Sequence, residues 1–538
     1  MRGLAPPPSD YAFRPNPRYD ALVPLPAIDY AVLLVYLAGV VAFGCWFVRR
    51  SRTPDDFMVA GRSMPGWAVG LSILGAYVSS ISLLGLPGKA FGGDWNAYCF
   101  TLSLPIALVV AVKYFVPFYR RTGDVSAYHH LERRFGAWAR TYAVVCYLLT
   151  MTARMGATLY LLALALSPML GWRIHTIILL TGALITLYTM LGGTEAVIWT
   201  DTVHNVVLVV GVLACVVLLL AGMPQGPGQV FSIAATRDKF SLGSAAASVS
   251  APTIWVVLLY GLFINLNNFG IDQNYVQRYI TARDDAAAKR SLWVGGLTYL
   301  PMSALLLFIG TALFAFYAAR PGLLPEGKAQ RPDDVFPFFI TTGLPAGMTG
   351  LVIAAVFAAA MNGFGLNIVS TITLCDLYER YLRPKAGERE RMRVLYGATA
   401  AWGALATGMA LWMIDAKSAL DAWWELAGVF SGGMLGLFLL GMLSRRAGPG
   451  AALAGVGVGV AVILWMTLSP RLNSWPEALR SPFHGNLVIV FGTLTILGVG
   501  LAVTIVSPSP LYAGGSAAAK GSSSSDREKT APHPSPLP

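Results

Sequence analysis

Four ionisable side chains lie inside long apolar runs of the sequence, where a charge is costly and is usually kept for a function. They are Arg154, Asp201, Asp272 (followed by Gln273) and Glu425. These residues favour ion pairing and the binding of a charged solute or cation. No HExxH motif, Walker loop or Ser/His/Asp spacing accompanies them, so the chain is not expected to be an enzyme.

Arg154 keeps its positive charge at any working pH, so inside a dry helix bundle it requires an anionic partner. That partner could be a fixed carboxylate such as Glu425, or the carboxylate of a bound solute. Asp201 could attract a cation or carry a proton. It could also be a carboxylate at the start of a helix, hydrogen-bonded to the backbone.

The elements that position these residues are predicted to be membrane-spanning helices. Hydrophobic residues make up 55% of the 538 residues and charged residues only 12%, whereas soluble domains carry about 25% charge. The apolar residues come in runs such as 30–48 and 206–222, each close to the ~20 residues that cross a bilayer. The length rule predicts an all-α membrane protein of about thirteen spans. They start near residues 28, 66, 97, 137, 173, 196, 252, 289, 346, 394, 420, 449 and 485.

Basic residues concentrate in the loops that follow odd-numbered spans. They are Arg49, Arg50, Arg52 and Arg62, then Arg120, Arg121, Arg133 and Arg134, then Arg278, Arg283, Lys289 and Arg290, then those within 380–393, and finally Arg445 and Arg446. The positive-inside rule places the N-terminus outside and the C-terminus in the cytoplasm, for a multi-pass protein of the plasma (inner) membrane. This topology accounts for the formal charge of +12 without a nucleic-acid partner.

The predicted domain organisation has three parts. Residues 1–26 form an extracellular N-terminal tail that is polar and proline-rich, without a cleavable signal peptide. Residues 27–508 form the transmembrane domain. Residues 509–538, rich in Ser and Pro, form a disordered cytoplasmic tail.

Two spans are interrupted by polar and helix-breaking residues. The second contains Ser79, Ser80, Ser82, Gly85, Pro87 and Gly88, and the seventh ends in Asn265, Asn267, Asn268 and Gly270. Backbone that leaves the helix within a membrane must line a cavity or be buried in protein. Broken helices at matching places in two halves mark the binding site of inverted-repeat transporters. The two breaks are five spans apart, which predicts a core of two five-span repeats over about residues 66–445.

Several segments resemble a known family. Residues 192–201 are similar to the Gly-Gly-x-x-Ala-Val-x-Trp-Thr-Asp signature of the sodium:solute symporters. Residues 127–136, 154–156, 162–167, 265–278 and 344–361 resemble other segments of that family. The resemblance implies a leucine-transporter-like core of five-plus-five inverted helices that works by alternating access. Members carry sugars, amino acids, vitamins, sialic acids, monocarboxylates or inorganic anions, usually driven by sodium.

The resemblance also implies a sodium site. Its backbone carbonyls at the break of span two align with Gly75 and Val78, and Asp201 aligns with a position near a sodium exit path or second sodium site. The family's other ligands come from a Ser-Ser or Ser-Thr pair in span nine, where residues 358–367 hold no hydroxyl. Two alignments remain open at the pair, which falls on Asn362 with Gly363, or on Ala360 with Met361. Sodium is the expected coupling ion, and proton coupling or uncoupled exchange stays an alternative.

The solute site implied by the resemblance combines features of two kinds of member. Sialic acid carriers look similar in having an arginine in this span and hydroxyls on span two, where Arg154, Ser79 and Ser82 stand. Sugar carriers line their pocket at positions that match Tyr77, Asn265, Asn267 and Asn268. Their glutamate and glutamine on span two, and the glutamine of span eleven, are replaced by Ile81, Ser82 and Trp424, which weakens a hexose assignment. Such polar residues can also simply bridge packed helices.

These observations predict a secondary active symporter for a small anionic organic solute, such as a sialic acid or a monocarboxylate. Asp272, Gln273 and Glu425 are assigned coupling or structural roles. The expected partners are the solute, sodium or a proton, and the lipid bilayer, with no organic cofactor. The chain is expected to be a monomer, and an oligomer is left open. A transporter-like solute sensor is the alternative from another class, although such proteins carry an appended output domain.

Overall fold

A computed structural model describes residues 26–47, 53–325, 328–362, 365–415, 419–470, 472 and 476–506. The predicted N-terminal tail, except for Pro26, and the predicted C-terminal tail lie outside these residues. The basic cluster at residues 49–52 lies outside them as well.

The described residues are helical and contain no strand. The first half of the chain forms helices α1 (Ala27–Phe47), α2 (Pro54–Val59), α3 (Gly66–Tyr77), α4 (Ser80–Gly92), α5 (Tyr98–Leu102), α6 (Leu104–Val110), α7 (Val116–Thr122), α8 (His129–Phe135), α9 (Ala137–Leu170), α10 (Ile174–Ala221) and α11 (Gly228–Ala235). The second half forms α12 (Ile254–Gly270), α13 (Gln273–Ile280), α14 (Asp285–Ala319), α15 (Val335–Thr342), α16 (Met348–Asn362), α17 (Leu366–Ile372), α18 (Glu388–Trp412), α19 (Ala419–Leu443), α20 (Pro449–Leu468) and α21 (Val488–Val506). Two π-helical turns, Ala111–Phe115 and Thr373–Leu382, extend α6 and α17.

The helices are long and apolar enough to confirm a multi-pass membrane protein. Among the described residues, nine helical spans have the length and composition needed to cross a membrane. The number rises to as many as 11 if each of two bent helix pairs is one span. Two shorter apolar helices, Ala27–Val40 and Ile174–Leu187, coincide with the spans predicted to start near residues 28 and 173. Helix α10 covers the residues of both the fifth and the sixth predicted span, and the count of thirteen stays a prediction.

The two predicted breaks are present. Helices α3 and α4 are bent by 52° and helices α12 and α13 by 48°. At the first break Val78 and Ser79 leave helical geometry, and the Ser82 hydroxyl donates to the carbonyl of Tyr77 at 2.7 Å. At the second, Asp272 is extended (ψ 114°) and caps α13, because its Oδ1 accepts from the amide of Asn274 at 2.8 Å. Side chains thus replace part of the hydrogen bonding that each interruption removes.

The loops gather at two opposite ends of the bundle. At one end, Arg120 contacts Asp285 at 2.8 Å, and Arg62 donates to the carbonyl of Gly123 at 2.7 Å. These loops all follow odd-numbered predicted spans. At the other end, the amide of Trp95 donates to the carbonyl of Ser241 at 2.8 Å, which joins two loops that follow even-numbered spans. The contacts agree with the alternation on which the predicted topology rests.

Candidate solute and cation site

A cavity of about 80 Å³ lies between the two breaks. Its wall is formed by both breaks, the middle of α9, and parts of α5, α12, α14 and α19. The polar groups on this wall are Tyr77, Ser79, Ser82, Thr101, Thr150, Arg154, Tyr260, Asn268, Asp272, Tyr275, Tyr299 and Ser431. The structure therefore brings five sequence-predicted solute residues to one cavity: Tyr77, Ser79, Ser82, Arg154 and Asn268.

Arg154 is 6% exposed and reaches the first break from α9. Its Nη2 donates to the carbonyl of Ala76, which also accepts from the Tyr275 hydroxyl at 3.3 Å. The guanidinium carbon lies 5.9 Å from the Trp423 ring centroid, within range of a cation–π contact. Among the described ion pairs, none involves Arg154. The suggested fixed pair with Glu425 is therefore wrong for this structure. The charge faces hydroxyls, rings, a carbonyl and, on the same cavity wall, the Asp272 carboxylate, with which it forms no direct ion pair.

Glu425 lines a second, larger cavity of about 920 Å³, together with Lys89, Asp94 and His484. The two cavities share Ala97 and Trp424. Glu425 lies one residue along α19 from Trp424, which turns it toward this second space. The second cavity lies at the end of the bundle where the loops after even-numbered spans meet.

Aromatic rings separate the two cavities. Trp424 stacks on Phe100 with ring centroids 5.7 Å apart and an interplanar angle of 21°. Tyr260 packs against the same indole at 5.3 Å, and its hydroxyl donates to the carbonyl of Trp424 at 3.1 Å. No sequence pattern pointed to Phe100 and Tyr260 as lining residues, because an aromatic residue in an apolar run has the same pattern whether it packs in a core or faces a pocket.

The predicted asparagines of span seven separate into different environments. Asn268 lines the cavity. Asn265 is fully buried behind Tyr77, accepting its hydroxyl at 2.9 Å and donating to Ser103 at 3.1 Å. Asn267 is 1% exposed and does not line the cavity; its carbonyl accepts from the amides of Ile271 and Asp272. Asn265 and Asn267 therefore shape the wall and the break instead of facing the solute space.

Gln273 links the second break to a loop. Its Oε1 accepts from the amide of Ala127 at 2.8 Å, and its Nε2 donates to the carbonyl of Val125 at 2.7 Å. The side chain is fully buried and does not reach the cavity. These bonds fit the structural role predicted for Gln273, whereas the neighbouring Asp272 reaches the cavity wall.

The predicted cation ligands lie near the first break. Apart from bonds within helices, no hydrogen bond recorded for the described residues uses the carbonyls of Gly75 or Val78. Such carbonyls are hard oxygen ligands suited to a small cation. Ala360 is fully buried in α16. The side chain of Asn362 lies outside the residues that the structure describes.

Asp201 is bound by side chains of other helices and not by the backbone amides at the start of its own helix. It lies well inside α10, where its Oδ2 accepts from the Ser72 hydroxyl at 2.5 Å. The same oxygen lies 3.3 Å from Nη2 of Arg278, whose Nε donates to Ser72 at 2.9 Å. This buried cluster joins α10 to α3 and α13, the two half-helices on one side of the breaks. The backbone-bonded alternative for Asp201 does not match this geometry.

Comparison with known proteins agrees with this architecture. The sequence model of the sodium:solute symporter family matches residues 57–459. A sodium/sialic acid symporter of Proteus mirabilis (strain HI4320) is 33% identical over 478 residues, covering 87% of this chain and 94% of the relative. A sodium/sialic acid symporter of Aliivibrio fischeri (strain ATCC 700601 / ES114) is 32% identical, covering 88% and 92%. A solved substrate-bound, outward-open state of a Na⁺-coupled sialic acid symporter superposes with a TM-score of 0.83 at 30% identity, covering 90% of this chain and 99% of that one. The chain belongs to the sodium:solute symporter family.

Proposed function

We propose that this protein is a secondary active symporter that carries a small carboxylated, polyhydroxylated solute of the sialic acid class together with sodium. The observation that carries the proposal is the position of Arg154. Its guanidinium lies at the wall of the cavity between the two breaks. Asp272 lies on the same wall, but no ion pair among the described residues joins it to Arg154. A solute carboxylate would provide the anion that a buried arginine requires.

The rest of the wall favours a solute with several hydroxyl groups over a simple monocarboxylate. Ser79 and Ser431 line the cavity, and no hydrogen bond of either hydroxyl is recorded for the described residues. Asn268 lines it as well, beside the Tyr77 hydroxyl. Aromatic rings of Tyr299 and Trp424 offer flat apolar surfaces to the face of a sugar ring. A monocarboxylate would use the arginine but leave these groups unused. The two relatives described above are sodium/sialic acid symporters, which supports the same choice.

Sodium is proposed to bind between the first break and α16. The ligands assigned are the carbonyls of Gly75 and Val78, with Ala360 and Asn362 supplying oxygen from the facing helix. Asp201 is not assigned as a direct ligand, because Ser72 and Arg278 already occupy one of its oxygens. The sialic acid relatives are sodium-coupled by name, which favours sodium although span nine lacks the hydroxyl pair.

The proposed mechanism is alternating access about this fixed site. The aromatic group of Phe100, Tyr260 and Trp424 closes the solute cavity toward the larger one, which is proposed to open outside. The cluster of Asp201, Ser72 and Arg278 lies on the opposite, inner side. The assignment of outside and inside follows the basic loops, with the N-terminus outside and the C-terminus cytoplasmic in the inner membrane.

The test is uptake into proteoliposomes that contain the purified protein. A panel of labelled sialic acids, monocarboxylates and amino acids is offered under an inward sodium gradient. We expect concentrative uptake of a sialic acid, lost when choline replaces sodium and insensitive to a protonophore. Uptake that persists in choline but is abolished by a protonophore would instead establish proton coupling. Binding without any accumulation would favour the sensor alternative.

A further inference from the structure

A buried lysine lies at the outer end of the broken second span. Lys239 belongs to the loop between α11 and α12, and it is 6% exposed. Its Nζ donates to the carbonyls of Phe91 at 2.7 Å and Gly93 at 2.8 Å, and lies 3.4 Å from that of Ala90. An ammonium group has three donors, so the three carbonyls account for all of them.

These acceptors have a specific place in the fold. They belong to the last turn of α4 and the residue that follows it, where helix carbonyls lack intrahelical partners and carry partial negative charge. The ammonium also lies 4.1 Å from the centroid of the Phe314 ring on α14. The lysine therefore caps one end of α4 and fixes that end against α14.

The same loop also accepts hydrogen bonds from the residues that follow α4. The amide of Trp95 donates to the carbonyl of Ser241 at 2.8 Å, and Asn96 Nδ2 donates to the carbonyl of Leu242 at 3.0 Å. The indole N–H of Trp95 in turn donates to the Thr311 hydroxyl on α14 at 2.9 Å. The bonds around Lys239 thus belong to a continuous strap, residues 236–243, along the outer end of the broken span.

We propose that Lys239 is a positioning residue for the solute site, acting through α4. The far end of α4 carries Ser79 and Ser82 into the central cavity, about 13 residues from the capped end. The helix is short and begins at a break, so no continuous helix extends it on its inner side. Its middle packs closely on α14 at Pro87, and the ammonium adds a constraint at its outer end. The inference rests on the proposed function, because the affected quantity is the affinity of the central cavity for its solute.

The test compares Lys239→Met, which keeps an unbranched side chain and removes the charge, with Lys239→Arg, which keeps the charge. Lys385→Met, at an exposed position in another loop, is the matched control. We expect Lys239→Met to raise the solute KM roughly tenfold, equivalent to about 1.4 kcal/mol, with little change in maximal rate per correctly folded molecule. Lys239→Arg should recover a large part of the affinity, and the control should match the wild type.

A second measurement does not depend on transport. Hydrogen–deuterium exchange of the backbone amides should become faster in residues 80–92 and 236–243 of Lys239→Met, and stay unchanged in α18 and α20. The proposal is overturned if KM and exchange are both unaltered, or if the variant loses rate and thermal stability together without a selective effect on KM. If the wild type transports no solute of the panel, the proposed function fails, and local exchange alone then decides whether Lys239 positions α4.

Discussion

Replacing Arg154 by glutamine tests whether this side chain recognises a carboxylate. The guanidinium now donates to the carbonyl of Ala76 and lies near Trp423, so it could act on the solute directly or only by holding the break. Glutamine removes the charge and the two-pronged donor geometry, but it can still donate one hydrogen bond to Ala76. The two roles therefore predict different results for solutes that differ only in charge.

The expected magnitude follows from the hydrogen bonds that are lost. A hydrogen bond to a charged group contributes about 1.5–3 kcal/mol, and a carboxylate can accept two from one guanidinium. Because Arg154 must share its donors with Ala76, and glutamine keeps one neutral bond, we expect a net loss of about 3 kcal/mol. This corresponds to roughly 150-fold weaker binding of the carboxylate solute. A carboxamide analogue should lose much less.

The assay is equilibrium binding to purified protein in nanodiscs, measured for the carboxylate and the carboxamide with both proteins. Arg283→Gln is the matched control, since the Arg283 side chain is 69% exposed and pairs with the exposed Asp284 at 3.3 Å. The wild type should prefer the carboxylate strongly, and Arg154→Gln should bind both analogues with similar affinity. If both analogues weaken equally, Arg154 acts through Ala76 alone and the carboxylate assignment is refuted.

Two further predictions concern stability. A Cβ at position 310 would clash with the carbonyl oxygen of Pro87, so Gly310→Ala should destabilise the fold by about 1–3 kcal/mol and lower the apparent Tm in detergent. Gly457→Ala, where a Cβ meets nothing within 4 Å, is the control and should leave the Tm unlowered. Burial, together with neighbouring arginines, lowers the pKa of His130 to about 4, below the ordinary value of about 6.5. When the pH is lowered from about 6.5 to about 4, the unfolded chain takes up a proton on this residue while the folded chain does not. The free energy of unfolding therefore falls by at most about 3 kcal/mol over that range. His130→Gln should flatten the corresponding fall in apparent Tm, and an unchanged pH profile would contradict the assignment.

The breaks could be predicted from the sequence because they conflict with their surroundings. Serines, glycines and a proline in an apolar run of membrane-spanning length leave backbone groups that lipid cannot satisfy. Only a cavity or protein packing can accommodate them, whatever the other helices do. The structure accordingly bends both predicted spans, by 52° and 48°. The residues adjoining the breaks, Tyr77, Ser79 and Asp272, reach the cavity for the same reason.

Residues away from the breaks were harder to assign because their direction depends on packing between distant helices. Asn265 and Asn268 lie three positions apart, yet one binds Tyr77 from behind and the other lines the cavity. Glu425 and Trp424 are adjacent, and only the tryptophan reaches the solute cavity as well as the larger one. Lys239 gave no signal at all, since a lysine in a polar loop is normally solvated. Its burial depends on the carbonyls that end α4, which sequence spacing cannot place beside it.

The first break also suggests how solute and cation binding would be coupled. Gly75 and Val78 are the proposed carbonyl ligands of the cation, and Ala76, between them, is the carbonyl that Arg154 contacts. A solute carboxylate that draws Arg154 away from Ala76 would change the electrostatic environment of the stretch 75–78, which holds the two proposed cation ligands. A positive charge leaving this stretch favours a cation beside it, and a bound cation in turn weakens the hold of Ala76 on Arg154. Such coupling is reciprocal by thermodynamic necessity. It needs no hydroxyl pair on span nine, because the linkage is carried by the backbone of the break itself.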